Sequence, residues 1–387
     1  MGPTQNSNVR GTCPLQHRFL PISWHMALSR LLEGNGYGSA ALASFAKATA
    51  PTKNIVMKNL RMAILAATGT ARKRVIPAVR ERDLCTIVAV HGRDQYKLAA
   101  LASQNSIPRY FVDAERMLDQ TKPDFVFIGS PPALHQEHIR ICVERNIPVL
   151  CEKPLCLSTP EATTVQSLVT SRKNPFRLAH HLRHQPGIAE LRNIISGCTF
   201  GKLVHVAMQW GFWLNETSAN ASWKLNPSTG GPDAFYDAGV HAVDLMLHLL
   251  PHPTIVTAIG QRARFRTTVD NVSALALCGE VTVELSASQS IKCPLNSLTL
   301  DFEEATIHIP HALSEKSFAR MEVISQNETT TREFESVNLY GKEVEDFMAF
   351  LVGQPSLGTT IQEACHAVRI LNAITESYTT GRTVNLL

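Results

Sequence analysis

Met62-Ala63-Ile64-Leu65-Ala66-Ala67-Thr68-Gly69-Thr70 is an unbroken apolar run that closes on a small polar turn. A strand covered by helices on both faces needs such a run, whereas a strand with one wet face alternates. Residues from Ala71 to Glu81 follow with helical spacing, so the stretch reads strand, loop, helix. At such a junction free backbone N–H groups and the helix dipole favour an anion, and a dinucleotide pyrophosphate is a group that rests there. Against the pattern Gly-x-Gly-x-x-Gly/Ala the chain offers Ala67-x-Gly69-x-x-Arg72, keeping only the central glycine that lets the backbone approach a phosphate. Thr68, Gly69, Thr70, Ala71 and Arg72 are the candidate contacts; an ordinary strand-to-helix turn is the alternative.

The same texture repeats downstream. Apolar runs from Thr86 to Val90, Phe125 to Ile128 and Val149 to Cys151 alternate with helical segments from Gln95 to Gln104 and Leu134 to Arg145. Regular crossovers between unalternating strands predict a doubly wound parallel sheet. After about Arg183 the pattern changes to period-two alternation, from Val204 to Trp210 and Val281 to Leu285, with further strands expected from Leu298 to Phe302 and Ala305 to Ile309. Alternation marks strands with one buried face, which predicts an α+β half built on a large, mostly antiparallel sheet. Its open face would suit a subunit interface, so a homo-oligomer, dimer or tetramer, is expected. From Lys342 to Tyr378 apolar residues recur at helical spacing, interrupted by Gly353 and Pro355, which predicts two closing helices. The expected division is an extension over 1–56, a nucleotide-binding domain over 57–182, and a substrate-binding and oligomerisation domain over 183–387.

Composition narrows the class. In 387 residues, 44% hydrophobic, there is enough apolar material for two or three domains. Lysine and arginine number 37 against 33 acidic residues, a net charge of +4, so no field strong enough to seek nucleic acid or anionic lipid is expected. No apolar run approaches the ~18–20 residues that cross a bilayer. Nine scattered cysteines without a Cys-x-x-Cys pair suit a reduced, cytoplasmic compartment and free thiols. The first 56 residues hold one acidic residue, Glu33, against Arg10, Arg18, Arg30, Lys47 and Lys53. Such a basic leader suits organelle import or a plain N-terminal extension.

The second strand should end in an acidic residue if a ribose 2′-hydroxyl is to be bound. Here it ends Val90-His91-Gly92-Arg93-Asp94. Gly92 leaves room and Arg93 offers a bidentate partner to a 2′-phosphate, so NADP(H) is favoured over NAD(H). In the alternative, Arg93 is solvated and Asp94 takes the ribose.

Three further motifs follow in order: Gly129-Ser130-Pro131-Pro132-Ala133-Leu134-His135, then Val149-Leu-Cys-Glu152-Lys153-Pro154, then Asp237-x-Gly239-x-His241-x-x-Asp244. The chain closes on Ala373-Ile-x-Glu-Ser-x-x-x-Gly381-Arg-x-Val384. On these motifs the sequence from Leu60 to the C terminus resembles the Gfo/Idh/MocA family of oxidoreductases. The resemblance implies a Rossmann-type domain with the nicotinamide at the C-terminal edge of its sheet, in reach of Ser130, Pro131, His135, Glu152 and Lys153. It also implies that Asp237 and His241 reach in from the second domain. A shape-giving role for Glu152 and Pro154, with a cis peptide before Pro154, is the other expectation there. Residues four apart share a helical face, so Asp237 and His241 are expected to face one substrate hydroxyl. The roles expected are His241 as general base or acid, Asp237 as its orienter and a substrate binder, and Lys153 as electrostatic aid and proton relay. Taken singly, Lys153 could be a surface residue, Asp237 a helix cap and His241 a core histidine. Asp244, three residues beyond, suits a supporting role.

Arg183, Trp223 and Lys224 are the substrate candidates, the first within His180-His-Leu-Arg183-His184 and the others just before Gly230-Gly231. His180 and His184 lack a carboxylate set, so no metal is expected. Asp233 stands where many relatives carry a third glycine. The expected activity is hydride transfer between a nicotinamide cofactor and a secondary alcohol or ketone of a sugar, cyclitol or related polyol. The alternatives are a nucleotide-binding sensor with little turnover, or a reductase of a non-sugar substrate such as a dihydrodiol or a linear tetrapyrrole.

Overall fold

The computed structural model describes residues 60–218, 221–318 and 320–386. The extension over 1–56, and with it any import role, lies outside them. Six parallel strands form the first sheet in the order β3-β2-β1-β4-β5-β6. They are β1 Arg61–Leu65, β2 Thr86–His91, β3 Tyr110–Phe111, β4 Phe125–Ile128, β5 Val149–Glu152 and β6 Phe176–Ala179. Every residue of β4 and β5 is buried, as a strand covered on both faces requires. Helices Gln95–Gln104 and His135–Val143 fall where the periodicity puts them.

The decisive junction departs locally from the expected form. The chain leaves β1 through Ala66 at φ 55°, a left-handed conformation that glycine adopts more easily, and the following helix opens with a π-wound turn, Ala71–Val75, before Ile76–Glu81 turns α-helical. The Ala67 N–H donates to the His91 oxygen at 2.8 Å and ties the turn to the end of β2. Such a bond offsets part of the roughly 1–2 kcal/mol that a side chain costs in the left-handed region.

The second sheet has nine strands in the order β14-β13-β12-β11-β7-β10-β9-β8-β15, antiparallel throughout except for the parallel pair β7 and β10. They are β7 Leu203–Gly211, β8 Ile255–Gln261, β9 Asn271–Cys278, β10 Val281–Ser288, β11 Leu298–Phe302, β12 Ala305–Ile309, β13 Arg320–Ser325, β14 Thr329–Glu333 and β15 Val384–Asn385. Alternate residues of β8, β9 and β10 are buried, and their other face leaves Ile259 and Leu275 exposed. The sheet is open-faced, as the alternation predicts.

The closing helices, Leu339–Leu351 and Ile361–Thr380, exist as expected but do not stay within a contiguous second domain. Val344, Phe347 and Met348 pack into the core that holds Met62 and Ile64 on one face of the first sheet, and Ile361, Ala364 and Val368 into the core on its other face. A clean division at 182/183 is therefore crossed twice. Cys85, Cys142, Cys151, Cys156, Cys278, Cys293 and Cys365 are free thiols. Among the described residues no helix is long and apolar enough to cross a membrane.

Candidate functional site

Lys153 leaves the C-terminal end of β5 beside a cis peptide to Pro154. Its ammonium donates to the Asp237 main-chain oxygen at 2.6 Å and approaches Oδ1 of the same residue at 3.5 Å. The Lys224 ammonium lies 2.6 Å from Asp237 Oδ2, and the Gln289 amide donates to that oxygen at 3.3 Å. Burial alone would push the Asp237 carboxyl up, but Lys224 and Lys153 outweigh it and bring it to about 2. It is a fixed anion at every working pH.

The expectation that Asp237 and His241 share a helical face fails. The helix begins at Val240, after a short turn over Ala234–Tyr236, so Asp237 stands outside it. No hydrogen bond joins the two side chains among the described residues; Asp237 orients two lysines instead. His241 is oriented by rings: Trp210 from β7 stacks on it at 4.3 Å between centroids and 20° between planes, and His180 and His181 meet it edge-on. Burial first, then the Lys153 charge, hold His241 well below the ordinary imidazole range. The neutral ring can therefore accept a proton, while its buried Nδ1 has no hydrogen-bond partner among the described residues.

The cofactor candidates lie at the C-terminal ends of β1, β2, β4 and β5. Gly69 and Ala71 lie against Gly129 in the β4 loop: a Cβ built on Gly69 would meet nothing nearer than the Gly129 oxygen at 3.9 Å, and one built on Gly129 would meet the Ala71 Cβ at 3.5 Å. The approach to this backbone is open. Arg72 is exposed on the first helical turn. Gly92 packs against Leu98, and Arg93 is exposed with no hydrogen bond or ion pair among the described residues. Asp94 is occupied as the helix cap, accepting from the backbone N–H of Tyr96 and Lys97 at 3.1 and 3.0 Å. These residues fit a dinucleotide: an uncrowded glycine turn for phosphate and an uncommitted guanidinium where a 2′-phosphate would lie.

Other candidates hold the scaffold. His135 is fully buried, joined through Nε2 to the Ser130 oxygen at 2.8 Å and through Nδ1 to the Pro154 oxygen at 2.8 Å. It ties the β4 and β5 loops together rather than presenting itself to a cofactor. The Ser130 hydroxyl is engaged by His138 at 3.0 Å. Pro131 leads into the turn Pro132–Leu134 and is half-buried. Glu152 is buried with Oε2 on the Lys153 N–H at 3.2 Å, and burial pushes its carboxyl up to about 7.

Arg183, expected at the substrate, is not brought to the cleft. It is 3% exposed and grips Asp244 through Nε at 2.8 Å and Nη2 at 2.7 Å, with Glu363 at 3.1 Å. The fork geometry of arginine suits this buried clamp. Lys224 reaches the site through Asp237. Trp223 is half-buried beside it, and Gly230 lets the chain pass: a Cβ there would lie 2.6 Å from the Trp223 oxygen. Asp233 fills its unusual position by capping Phe235 and accepting from Thr375 and Tyr378, 2.8 and 3.0 Å from Oδ2. Trp210 and Gln289 were not legible as site residues, since each is one apolar or polar position in an alternating strand region.

Comparison with known proteins identifies the family. Residues 60–180 match the model of an oxidoreductase family with an NAD-binding Rossmann fold, and residues 188–308 match the Gfo/Idh/MocA C-terminal domain. D-xylose 1-dehydrogenase (NADP(+)) 2 of Haloferax volcanii is 25% identical over 330 residues, 84% of this chain and 98% of that protein. A trans-1,2-dihydrobenzene-1,2-diol dehydrogenase of Bos taurus is 24% identical over 235 residues, 59% of this chain and 67% of that one. The crystal structure of an aldose-aldose oxidoreductase from Caulobacter crescentus, complexed with glycerol, superposes with a TM-score of 0.77 at 20% identity, covering 85% of this chain and 100% of the other. The chain belongs to the Gfo/Idh/MocA family of oxidoreductases.

Proposed function

We propose that this protein is an NADP(H)-preferring dehydrogenase or reductase of a secondary alcohol or ketone on a sugar, cyclitol or related polyol. The observation that carries the reading is the joining of Lys153 from the first sheet to Asp237 from the second half, beside His241. The NADP(+) dependence and sugar substrate named for the Haloferax volcanii relative support it. The free guanidinium of Arg93, with Asp94 already used as a helix cap, supports the cofactor preference.

Thr68 to Ala71 would hold the pyrophosphate and Arg93 the 2′-phosphate. A bound nicotinamide supplies the hydride acceptor or donor. The residues of the chain handle the proton. Neutral His241 accepts the hydroxyl proton as an alcohol is oxidised and returns it in the reverse direction. The Lys153 ammonium stabilises the developing alkoxide, and the fixed Asp237 anion keeps that ammonium charged and aimed. We further propose that copies of the chain associate through the open sheet face carrying Ile259 and Leu275 and that the enzyme works in a reducing compartment such as the cytoplasm.

The test is an absorbance assay at 340 nm with NADP+ and NAD+ in turn against aldoses, inositols, glucosides and a trans-dihydrodiol. Turnover of a polyol or sugar with NADP+ is expected. Turnover confined to the dihydrodiol would move the substrate to the non-sugar class, and no turnover with any of them would favour a sensor.

A further inference from the structure

Gln289 follows the last residue of β10 and is 2% exposed. Its backbone is fixed on both sides: its N–H donates to the Asp270 oxygen at 2.9 Å, and its own oxygen accepts from Leu214 N at 2.9 Å and Arg264 Nη1 at 3.2 Å. From this rigid mount the side-chain amide reaches Asp237 Oδ2. A carboxylate only accepts, so the NH2 end of the amide must face it.

The two oxygens of Asp237 are thereby made unequal. Oδ2 takes Lys224 at 2.6 Å and Gln289 at 3.3 Å, whereas among the described residues Oδ1 has only Lys153 at 3.5 Å, whose short bond goes to the main-chain oxygen instead. Oδ1 is the acceptor left with capacity, on the Lys153 side. We propose that Gln289 is a positioning residue for catalysis: with Lys224 it saturates Oδ2, fixes the rotation of the carboxylate, and turns Oδ1 toward a substrate hydroxyl held by Lys153. The inference rests on the function proposed above, because it assigns a task to Asp237 within that centre. The donor is neutral, so it orients the anion without adding a third positive charge near His241, whose imidazolium is already disfavoured by Lys153 and Lys224.

Gln289→Met keeps length and removes the donor. Gln289→Glu keeps shape and sets a second carboxylate against Asp237, so the pair must share a proton. Both are to be compared with wild type and Lys153→Ala in steady-state kinetics on a turned-over sugar or polyol, with NADPH binding by fluorescence and melting temperature measured alongside. For Gln289→Met we expect about a tenfold loss in kcat/KM, the size of one hydrogen bond to a charged group, with NADPH affinity unchanged. For Gln289→Glu we expect a larger loss and an acidic limb of the pH profile moved to higher pH. Wild-type kcat/KM and pH profile in both Gln289 variants, beside an inactive Lys153→Ala, would overturn the role of Gln289 alone. A fully active Lys153→Ala would overturn it together with the catalytic centre on which it rests. If Gln289→Met lowers only the melting temperature and Gln289→Glu leaves the pH profile in place, the residue is structural and the proposal is wrong.

Discussion

The Lys153 ammonium donates to the main-chain oxygen of Asp237 at 2.6 Å across 84 positions of sequence. This bond joins the C-terminal end of β5 to the turn before the helix that carries His241. Because the acceptor is backbone, no substitution at Asp237 short of a backbone change removes it. Lys153 is therefore held in place even when the carboxylate is altered, and the two residues can be tested separately.

Asp237→Asn should keep the fold and the Lys153 contact but lose the fixed negative charge that pairs both lysines. We expect kcat to fall by about tenfold to a hundredfold, as for loss of a hydrogen-bonded charge partner, with NADPH affinity unchanged. Steady-state kinetics with fluorescence titration measures both; a variant as active as wild type would show that the carboxylate is dispensable.

Cofactor choice depends on Arg93. Arg93→Asp should weaken NADPH by about tenfold or more, the worth of a charge-assisted bidentate contact, and leave NADH affinity nearly constant. An unchanged ratio of the two dissociation constants would return the ribose to Asp94 or another group.

Protonation at His241 should be set by its aromatic surround. The ring is neutral well below the usual imidazole range because it is buried and faces lysines, so wild-type alcohol oxidation should show no acidic limb near pH 6.5 assignable to it. Trp210→Leu removes the stacked ring and admits water, which relaxes desolvation and raises the His241 value. An acidic limb of the kcat/KM profile should then move upward in pH. A profile that stays in place, or moves downward, contradicts burial as the cause.

Arg183 is a structural clamp and should behave as one. Arg183→Met leaves the Asp244 carboxylate buried without its arginine, with only the Thr359 hydroxyl still donating to Oδ1 at 2.9 Å among the described hydrogen bonds, and should destabilise the protein by about 3–5 kcal/mol, read as a lowered midpoint in urea. The double variant Arg183→Met, Asp244→Asn should recover part of that loss. A normal midpoint combined with a raised KM for substrate would restore Arg183 to the substrate pocket.

Glu343 gives a stability effect of known sign. Its carboxyl is buried, with Oε1 unpartnered among the described residues, and burial together with Glu152 and Asp346 holds it well above the ordinary range. The folded form keeps a proton that the unfolded chain releases, so this site costs stability as pH rises above the unfolded carboxyl value. Glu343→Gln should raise the melting temperature at pH 8 and leave it nearly unchanged at pH 4. Equal effects at both pH values would mean that ionisation is not involved.

The sequence made the architecture readable because burial leaves a periodic trace. Unalternating runs such as Phe125–Ile128 appear as fully buried strands, and alternation from Val281 onward as a half-open sheet. Short elements without a pattern stayed hidden: Tyr110–Phe111 is too brief, and Arg177 breaks the apolar run of Phe176–Ala179 by laying its guanidinium on the Phe350 ring at 3.7 Å. Within the site, motif residues separated by fixed spacings were visible, whereas the direction of their side chains was not. Spacing alone put Asp237 and His241 on one helical face; the turn at Ala234–Tyr236 delays the helix and separates them. Partners supplied by distant strands, Trp210 and Gln289, leave no local mark because their contacts exist only once the sheet has formed.

The central claim is that an ammonium from one half and an imidazole from the other act at one carbinol. Its most direct test is NADP+ reduction with a turned-over sugar or polyol, comparing wild type, Lys153→Ala and His241→Ala as folded proteins with verified NADPH binding. Both variants should lose about a hundredfold or more in kcat/KM, the range for general acid–base and electrostatic groups. Equal rates in all three proteins would contradict it.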